Sequence, residues 1–307
     1  MEVKKYISIT TSLLLFVLYL TYSYSATARD FVSNSFGLNE GDIQVRREVY
    51  NKNFRVFDGT QYLNKPNFKM YGISPFKVVY ESEMWGNKNN YARLPNKYRI
   101  KSVVNKLPSD TDFIVINIEH WPLTGFNDKL IDSSLSKYQK VVSWYKKFSP
   151  ELKIGFYARP PMPDYWRAID ANPKKRRVDW MAENDRINLL ADSVDALYPS
   201  LYTFYTNKSE WVKFAKAQIM EARRLANGKP VFAFLWPQYH DSNLLLGCQF
   251  LPGDYWQLQL DTVKSLADGL VIWGGWDVCN KKGKALRWDD SAEWWEVTKN
   301  FLLENPM

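Results

Sequence analysis

The stretch that most limits what this chain can fold into is an unbroken apolar run, Phe113 to Ile116, that ends in the polar residues Asn117 and Glu119. A strand that is apolar at every position is typical of a parallel sheet covered on both faces. Side chains alternate along a strand, so Asn117 and Glu119 share one face and Ile118 points to the other. A carboxyl and a carboxamide at the end of a buried strand are unfavourable as packing alone. We therefore interpret the pair as the centre of a functional site, at the strand end where barrel enzymes carry their catalytic groups.

The rest of the chain alternates between predicted strands and predicted helices. Apolar runs predict strands at 55–57, 68–73, 77–80, 153–158, 194–202, 230–236 and 269–275. Helical spacing predicts helices at 97–107, 130–148, 184–192, 209–227, 254–266 and 291–303. This alternation indicates a parallel α/β fold, and the lack of a glycine-rich phosphate turn after the early strands argues against a nucleotide-binding doubly wound sheet. We expect a single TIM-like (β/α) barrel, distorted and with seven or eight strands, over residues 54–307.

The first 28 residues have the pattern of a targeting segment. Lys4 and Lys5 precede an apolar run at 7–20, and small residues follow at 26–28. This pattern predicts a signal peptide over 1–28, with an N-terminal anchor as the alternative, and a secreted protein. Residues 29–53 are polar without a clear period, and we interpret them as a leader into the domain.

Cysteine, histidine and charge content limit the chemistry further. Cys248 and Cys279 follow successive predicted strands, so a disulfide is expected in an exported protein, with two free thiols as the alternative. Only two histidines are present, without metal-ligand spacing, so we expect no metal and no cofactor. The net charge of +8 favours anionic partners without choosing among them, and the basic run at 174–177 is interpreted as a solvated loop. Neither a nucleic acid nor an obligate protein partner is expected.

The predicted strands end in aromatic and polar side chains. After Asn117 and Glu119 these are Tyr157, Arg159, Tyr202, Trp236, Tyr239, Asp241, Trp273, Trp276 and Asp277. In a barrel such ends converge on one cleft. Core packing is the commoner role of any one ring, but in a chain with 16% aromatic residues the whole set favours a ring-lined groove. Without a nucleophilic triad, Glu119 is the best catalytic group, and a carboxylic acid in an aromatic groove indicates glycoside cleavage.

Five segments carry a resemblance to a known family. They are Ile116-Asn117-Ile118-Glu119-His120-Trp121-Pro122, Gly155-Phe156-Tyr157, Ala196-Leu197-Tyr198-Pro199-Ser200-Leu201-Tyr202, Val231-Phe232-Ala233-Phe234 and Gly269-Leu270-Val271-Ile272-Trp273-Gly274. In this order they resemble the hyaluronidase family of glycoside hydrolases. The resemblance implies a distorted barrel that hydrolyses the linkage of an N-acetylhexosamine, with the substrate's own acetamide as nucleophile. It makes Glu119 the general acid and then base, places Tyr157 and the catalytic Tyr202 near the acetamide, and puts Trp273 at the floor.

Two positions depart from the family pattern. The family has Asp where this chain has Asn117, and it has Arg between the residues that here are Trp121 and Pro122. A carboxamide can still orient an acetamide by hydrogen bonding, with less charge stabilisation, and the Asn-x-Glu pair is similar to that of endo-β-N-acetylglucosaminidases. The missing Arg makes a general N-acetylhexosamine glycan, which can be anionic, a better expectation than hyaluronan itself.

Other aromatic and polar side chains are expected to bind the substrate, and two alternative functions remain open. Substrate contacts are expected from Trp121, Trp236, Tyr239, Asp241 and Trp276 as well as Tyr157 and Trp273. We expect Glu119 to be buried among aromatic residues. The alternatives are an ordinary two-carboxylate glycosidase that uses Glu119 with Glu81 or Asp241, and a barrel that binds carbohydrate without cleaving it.

Overall fold

The computed structural model describes residues 54–86, 90–170, 173–279 and 283–306. The predicted signal peptide (1–28) and leader (29–53) lie outside these residues. Within the described ranges, no helix has the length and apolar character needed to cross a membrane.

In the part of the chain that the structure describes, seven parallel strands form two sheets. They are β1 (Arg55–Thr60), β2 (Ser74–Pro75), β3 (Lys77–Val79), β4 (Phe113–Ile116), β5 (Lys153–Phe156), β6 (Phe232–Leu235) and β7 (Gly269–Gly274). One sheet has the order β2-β1-β7-β6 and the other β3-β4-β5. All the strand pairs within them are parallel, as their apolar sequences predicted.

Two irregular connections complete a ring of neighbouring strands. On one side, residues 196–203, here called the bridge segment, lie between β5 and β6. Isolated parallel bridges join Tyr157 to Tyr198 and Ser200 to Phe234. On the other side, only Phe76 separates β2, which pairs with β1, from β3, which pairs with β4. The order of neighbours is that of a distorted (β/α) barrel, as the sequence predicted.

The alternation of β4 divides the core into two layers. Phe113 and Val115 belong to the inner cluster, where the Phe113 ring lies 6.0 Å from Phe57 and 5.1 Å from Phe232. Ile114, Ile116 and Ile118 belong to the outer cluster, which the helices cover. Because the inner face is the one that continues to Asn117, the strand register alone brings that side chain to the barrel opening.

Nine helices are described. They are α1 (Glu81–Trp85), α2 (Lys97–Asn105), α3 (Asp128–Phe148), α4 (Tyr165–Ile169), α5 (Pro173–Asp185), α6 (Asn188–Ser193), α7 (Lys208–Ala226), α8 (Gly253–Leu266) and α9 (Glu293–Glu304). Side-chain caps fix several starts: Asn96, Asn127 and Asn207 accept backbone N–H bonds from the first turns of α2, α3 and α7.

Four sequence predictions of secondary structure were wrong. Residues 68–73 do not form a strand: Phe68–Tyr71 is a 3-10 helix that ends at Gly72, whose φ of 78° suits glycine. The predicted strand at 194–202 has only isolated bridges, because Pro199 lacks the N–H that a regular ladder needs. The predicted helix at 184–192 is split between α5 and α6. The basic run at 174–177 lies in α5 rather than in a loop.

Candidate active site

Asn117 and Glu119 meet at the carboxyl end of β4. The backbone N–H of Asn117 donates to the Val79 carbonyl at 2.9 Å, which fixes the end of β4 beside β3. The Asn117 carboxamide donates from Nδ2 to Glu119 Oε1 at 2.8 Å. Its carbonyl oxygen, Oδ1, is buried and has no hydrogen-bond partner among the described residues. Glu119 itself is exposed, so the expectation that it would be buried among aromatic residues is wrong. The reason is that β4 ends at Ile116, and the Glu119 carboxyl lies beyond the inner layer of the core.

The backbone around Glu119 is held from both sides. The Ile118 carbonyl accepts hydrogen bonds from the Tyr138 hydroxyl, at 2.9 Å, and from the Arg159 guanidinium. On the other side, the N–H of Glu119 donates to Glu81 Oε1 at 3.0 Å. The same carboxylate oxygen lies 2.7 Å from Nδ1 of His120. Glu81 begins α1, directly after β3, so the loop that carries the acid is tied to the neighbouring strand.

A ring stack supports this loop on its outer side. The His120 ring lies on Tyr91 with centroids 4.3 Å apart and an interplanar angle of 16°. Trp121 packs against Trp85 at 5.5 Å and against Tyr138 at 5.1 Å. Trp121, a predicted substrate contact, is 2% exposed, and its Nε1 donates to the Tyr91 carbonyl beneath the loop.

Besides Tyr138, three tyrosines lie close enough to Glu119 for its carboxylate to raise their pKa. Burial raises the pKa of Tyr80 and of Tyr157 to about 12, and the Glu119 carboxylate acts in the same direction on both. Burial also raises the pKa of Tyr202 well above its usual range, with a smaller contribution from Glu119. All three therefore keep their phenolic proton at neutral pH and can donate it to a substrate oxygen.

The aromatic wall of the site comes from the ends of three strands, β5, β6 and β7, and from the bridge segment. The Tyr202 ring lies 5.9 Å from Tyr157, 5.5 Å from Trp236 and 5.7 Å from Trp273. Trp273 Nε1 donates to the Tyr80 hydroxyl at 2.9 Å. The structure thus brings Tyr157, Tyr202, Trp236 and Trp273 together, where the strand-end argument placed them.

Three other predicted contacts lie at the edge of this cluster or outside it. Tyr239 is 5% exposed and packs against Tyr255 of α8, in the outer cluster. Asp241 is exposed, and its Oδ1 lies 3.2 Å from Nδ1 of His240. Trp276 is half-buried on the loop after β7, where it pairs with Ala285.

The structure joins Cys248 and Cys279 in a disulfide, with Cα atoms 6.2 Å apart. The bond links the loop after β6 to the loop after β7, two loops that border the aromatic wall. Among the residues that the structure describes, no group of three His, Cys, Asp or Glu side chains is placed to hold a metal ion.

Sequence reasoning left Tyr80, Gln61 and Ser200 out of the predicted site. Tyr80 follows β3 as Asn117 follows β4, and the pairing of Val79 with Ile116 places them side by side. That register was the signal that could have found Tyr80. Gln61, which donates to the Tyr80 hydroxyl at 2.8 Å, and Ser200, 3.1 Å from the Tyr157 hydroxyl, had no such signal.

Solved structures similar to this fold include barrels of glycoside hydrolases. Bee venom hyaluronidase matches with a TM-score of 0.55 at 17% identity, over 82% of this chain and 98% of that one. Its complex with a hyaluronic acid tetramer gives 0.56 at 18% identity, over 82% and 96%. An endo-beta-1,4-mannanase from Thermotoga petrophila gives 0.50 at 12% identity, over 86% and 72%. These likenesses confirm the predicted fold.

The similar curated sequences are hyaluronidases. That of Apis mellifera is 29% identical over 171 residues, which are 52% of this chain and 43% of the relative. That of Polistes annularis is 23% identical over 266 residues, or 80% and 64%. No family model matches the chain. The resemblance to hyaluronidases is thus confirmed in sequence and in fold, although the chain spans less than two thirds of the length of these relatives.

Proposed function

We propose that this protein is a glycoside hydrolase that cleaves N-acetylhexosamine linkages in a polysaccharide or glycan, with the substrate's acetamide as nucleophile. The observation that carries the proposal concerns the two ends of the Asn117 carboxamide. Its Nδ2 donates a hydrogen bond to Glu119, while its buried Oδ1 has no hydrogen-bond partner among the described residues. A buried acceptor without a hydrogen bond costs about 1–3 kcal/mol. An acetamide N–H is a donor of the right kind for that oxygen.

The proposed reaction uses each group in turn. Protonated Glu119 gives its proton to the leaving glycosidic oxygen while the acetamide oxygen attacks the anomeric carbon, so the old C–O bond breaks as the new one forms. Asn117 Oδ1 accepts the acetamide N–H, whose positive character grows in this step. The tyrosine hydroxyls orient the acetamide oxygen. The Glu119 carboxylate then takes a proton from the water that opens the cyclic intermediate.

The two-carboxylate alternative fits the geometry less well. One oxygen of Glu81 is engaged by both the Glu119 N–H and His120, and the side chain is only 15% exposed. Asp241 lies beside His240, on the loop that follows β6. Glu81 is therefore better suited to hold the acid in place than to attack a sugar.

The substrate class follows from the relatives and the sequence together. The related bee enzyme has been crystallised with a hyaluronic acid tetramer, which supports a hexosamine polysaccharide here. The net charge of +8 suits an anionic chain. Because no Arg separates Trp121 from Pro122, we propose N-acetylhexosamine recognition without a requirement for the uronate.

A panel of glycans tests the proposal. The full chain, produced in secreted form, is incubated with hyaluronan, chondroitin, chitin oligosaccharides and an N-glycan, and the products are read by mass spectrometry. We expect release from at least one member and a loss of at least about 100-fold in Glu119→Gln, the usual scale of general acid catalysis. Glu151→Gln, an exposed glutamate between α3 and β5, is the matched control.

A second arm separates the alternatives. The cleaved glycan is de-N-acetylated and offered again; cleavage of the free amine would support an ordinary two-carboxylate mechanism. Binding of the panel without release would support the non-catalytic barrel. Release that survives Glu119→Gln would show that the acid lies elsewhere.

We further propose that the protein is exported, with residues 1–28 removed. The disulfide between Cys248 and Cys279 supports this, since such bonds persist in oxidising compartments. N-terminal sequencing of the secreted protein tests it, and a mature chain that still begins at Met1 would contradict cleavage.

A further inference from the structure

Two exposed aromatic side chains lie together outside the site described above. Trp166 is 60% exposed and Tyr205 is 41% exposed, and their rings are 5.3 Å apart at an angle of 50°. Trp166 lies in α4, after β5, and Tyr205 lies two residues beyond the bridge segment. Both therefore lie on the edge of the barrel where the strands end, which is also the edge that carries Glu119.

The pair is held rigidly from beneath. Tyr165, which is 8% exposed, has its ring 5.4 Å from Trp166 and 5.1 Å from Tyr205. Tyr165 in turn packs 5.2 Å from Phe214 of α7. The carbonyl of Tyr205 accepts a hydrogen bond from the Tyr255 hydroxyl at 3.2 Å. Rings already fixed in this way lose little freedom when a ligand binds.

A continuous row of rings connects the pair to the candidate active site. Phe204 lies 6.5 Å from Tyr205 and 4.8 Å from His240. His240 lies 6.1 Å from Tyr202, which belongs to the aromatic wall beside Glu119. Three ring contacts thus lead from the exposed pair to the predicted reaction centre, along one side of the barrel opening.

We propose that Trp166 and Tyr205 form a distal subsite that stacks on a sugar ring of the same glycan chain whose N-acetylhexosamine occupies the site at Glu119. This inference rests on the proposed function. Sugar rings present apolar C–H faces to aromatic side chains, and burying the face of an exposed tryptophan is favourable. Because the subsite lies apart from Glu119, only substrates long enough to span the ring row reach it.

Chain-length dependence tests the subsite. kcat and KM are measured for the wild type, Trp166→Ala and Tyr205→Ala, from the shortest cleaved oligosaccharide to the polymer. Each alanine variant should raise KM for long substrates on the order of tenfold, corresponding to about 1.4 kcal/mol, and leave the shortest substrate unchanged. Trp166→Phe should retain most of the effect of chain length. Tyr98→Ala, at a 68% exposed tyrosine of α2, should change nothing.

Failure of the subsite is distinguishable from failure of the proposed function. Equal effects on short and long substrates, or none on either, would overturn the subsite while hydrolysis stands. If no glycan is cleaved, the subsite is tested by binding only. Calorimetry then compares the binding of long oligosaccharides to Glu119→Gln and to the double variant Glu119→Gln, Trp166→Ala. Binding weakened by the second change supports the subsite, and unchanged or undetectable binding overturns it. Unfolding curves confirm that each variant folds.

Discussion

Asn117 combines a donor that holds the acid with an acceptor left open, and the two functions can be separated by substitution. Asn117→Ala removes both, and we expect kcat to fall about 100-fold, the typical effect of losing one transition-state hydrogen bond. Asn117→Asp keeps the acceptor and adds charge, so it should keep or raise the activity. Rates on the cleaved glycan check both, and an Asn117→Ala enzyme with unchanged kcat would remove the main support for acetamide assistance.

Glu81 allows a second test at the residue scale. Glu81→Gln keeps an oxygen that can accept the Glu119 N–H, whereas Glu81→Ala leaves that N–H without its partner. We expect Glu81→Ala to lower kcat by about tenfold with little change in KM, because the acid loses its fixed position. Glu81→Gln should restore most of the rate. If Glu81→Gln is instead as inactive as Glu119→Gln, the carboxylate itself reacts and the two-carboxylate mechanism is correct.

The accuracy of sequence reasoning at single residues depended on where each residue lies in its strand. Asn117 and Tyr157 directly follow β4 and β5, so the two-residue period still applied and their placement was predictable. Trp121 and Tyr239 lie further into loops, where that period no longer holds, and both pack in the outer cluster. The hydrogen bond that Glu81 accepts from the Glu119 N–H joins residues 38 apart, which no local pattern reports.

At the scale of elements, the close approach of β5 to the bridge segment depends on Gly155. A Cβ atom there would lie 2.4 Å from the Ala196 carbonyl oxygen and 2.4 Å from the Tyr198 ring. Gly155→Ala should therefore lower the free energy of unfolding by about 1–3 kcal/mol, the range for overpacked cores. Activity should also fall, since the bridge segment carries Tyr202.

Denaturant unfolding of the Gly155→Ala variant checks this value. Ser133→Ala, at an exposed position of α3, serves as the control, because an alanine there is not expected to clash with a neighbouring atom. Equal stability of both variants would mean that β5 and the bridge segment can separate without loss.

The elements that the sequence misassigned share a physical cause. The run at 68–73 has the composition of a strand, but Asn67 caps it and Gly72 ends it as a 3-10 turn. The bridge segment was recognised as extended, yet the proline that marks it prevents regular pairing. In the first case the turn residues Asn67 and Gly72, and in the second the missing N–H of Pro199, outweighed the hydrophobic pattern of the neighbouring residues.

For the whole molecule, the alternation of apolar runs and helices was enough to predict a parallel barrel. It could not predict how the ring closes, because the pairing of β1 with β7 joins residues more than 200 positions apart. Residues 269–274 therefore align beside 55–60 through packing that only the folded chain reveals. The conclusion is that local periodicity specified the class of fold, and long-range pairing specified its register.

Buried tyrosines give the molecule a predictable response to alkaline pH. Tyr80 and Tyr157 have pKa values raised to about 12 by burial, and burial raises those of Tyr62, Tyr145, Tyr198 and Tyr202 as well. In the unfolded chain a tyrosine loses its proton near pH 10. The unfolded state therefore binds fewer protons than the native state above that pH, and stability must fall as pH rises. Each such tyrosine contributes about 1.4 kcal/mol of destabilisation per pH unit in this window.

We accordingly expect stability to be insensitive to these tyrosines below about pH 9 and to fall steeply between about pH 10 and 12. Denaturant midpoints measured across this range, together with tyrosinate absorbance, check the prediction. The part of the absorbance that comes from the buried phenols should rise in one cooperative step that coincides with unfolding, because these phenols ionise only when the barrel opens. Tyr98→Phe, at an exposed tyrosine, should leave that step in place, whereas Tyr157→Phe should reduce its pH dependence. A gradual rise near pH 10 without unfolding that is smaller in Tyr157→Phe would mean that the hydroxyls around Glu119 are open to solvent, and the proposed neutral donors would lose their physical basis.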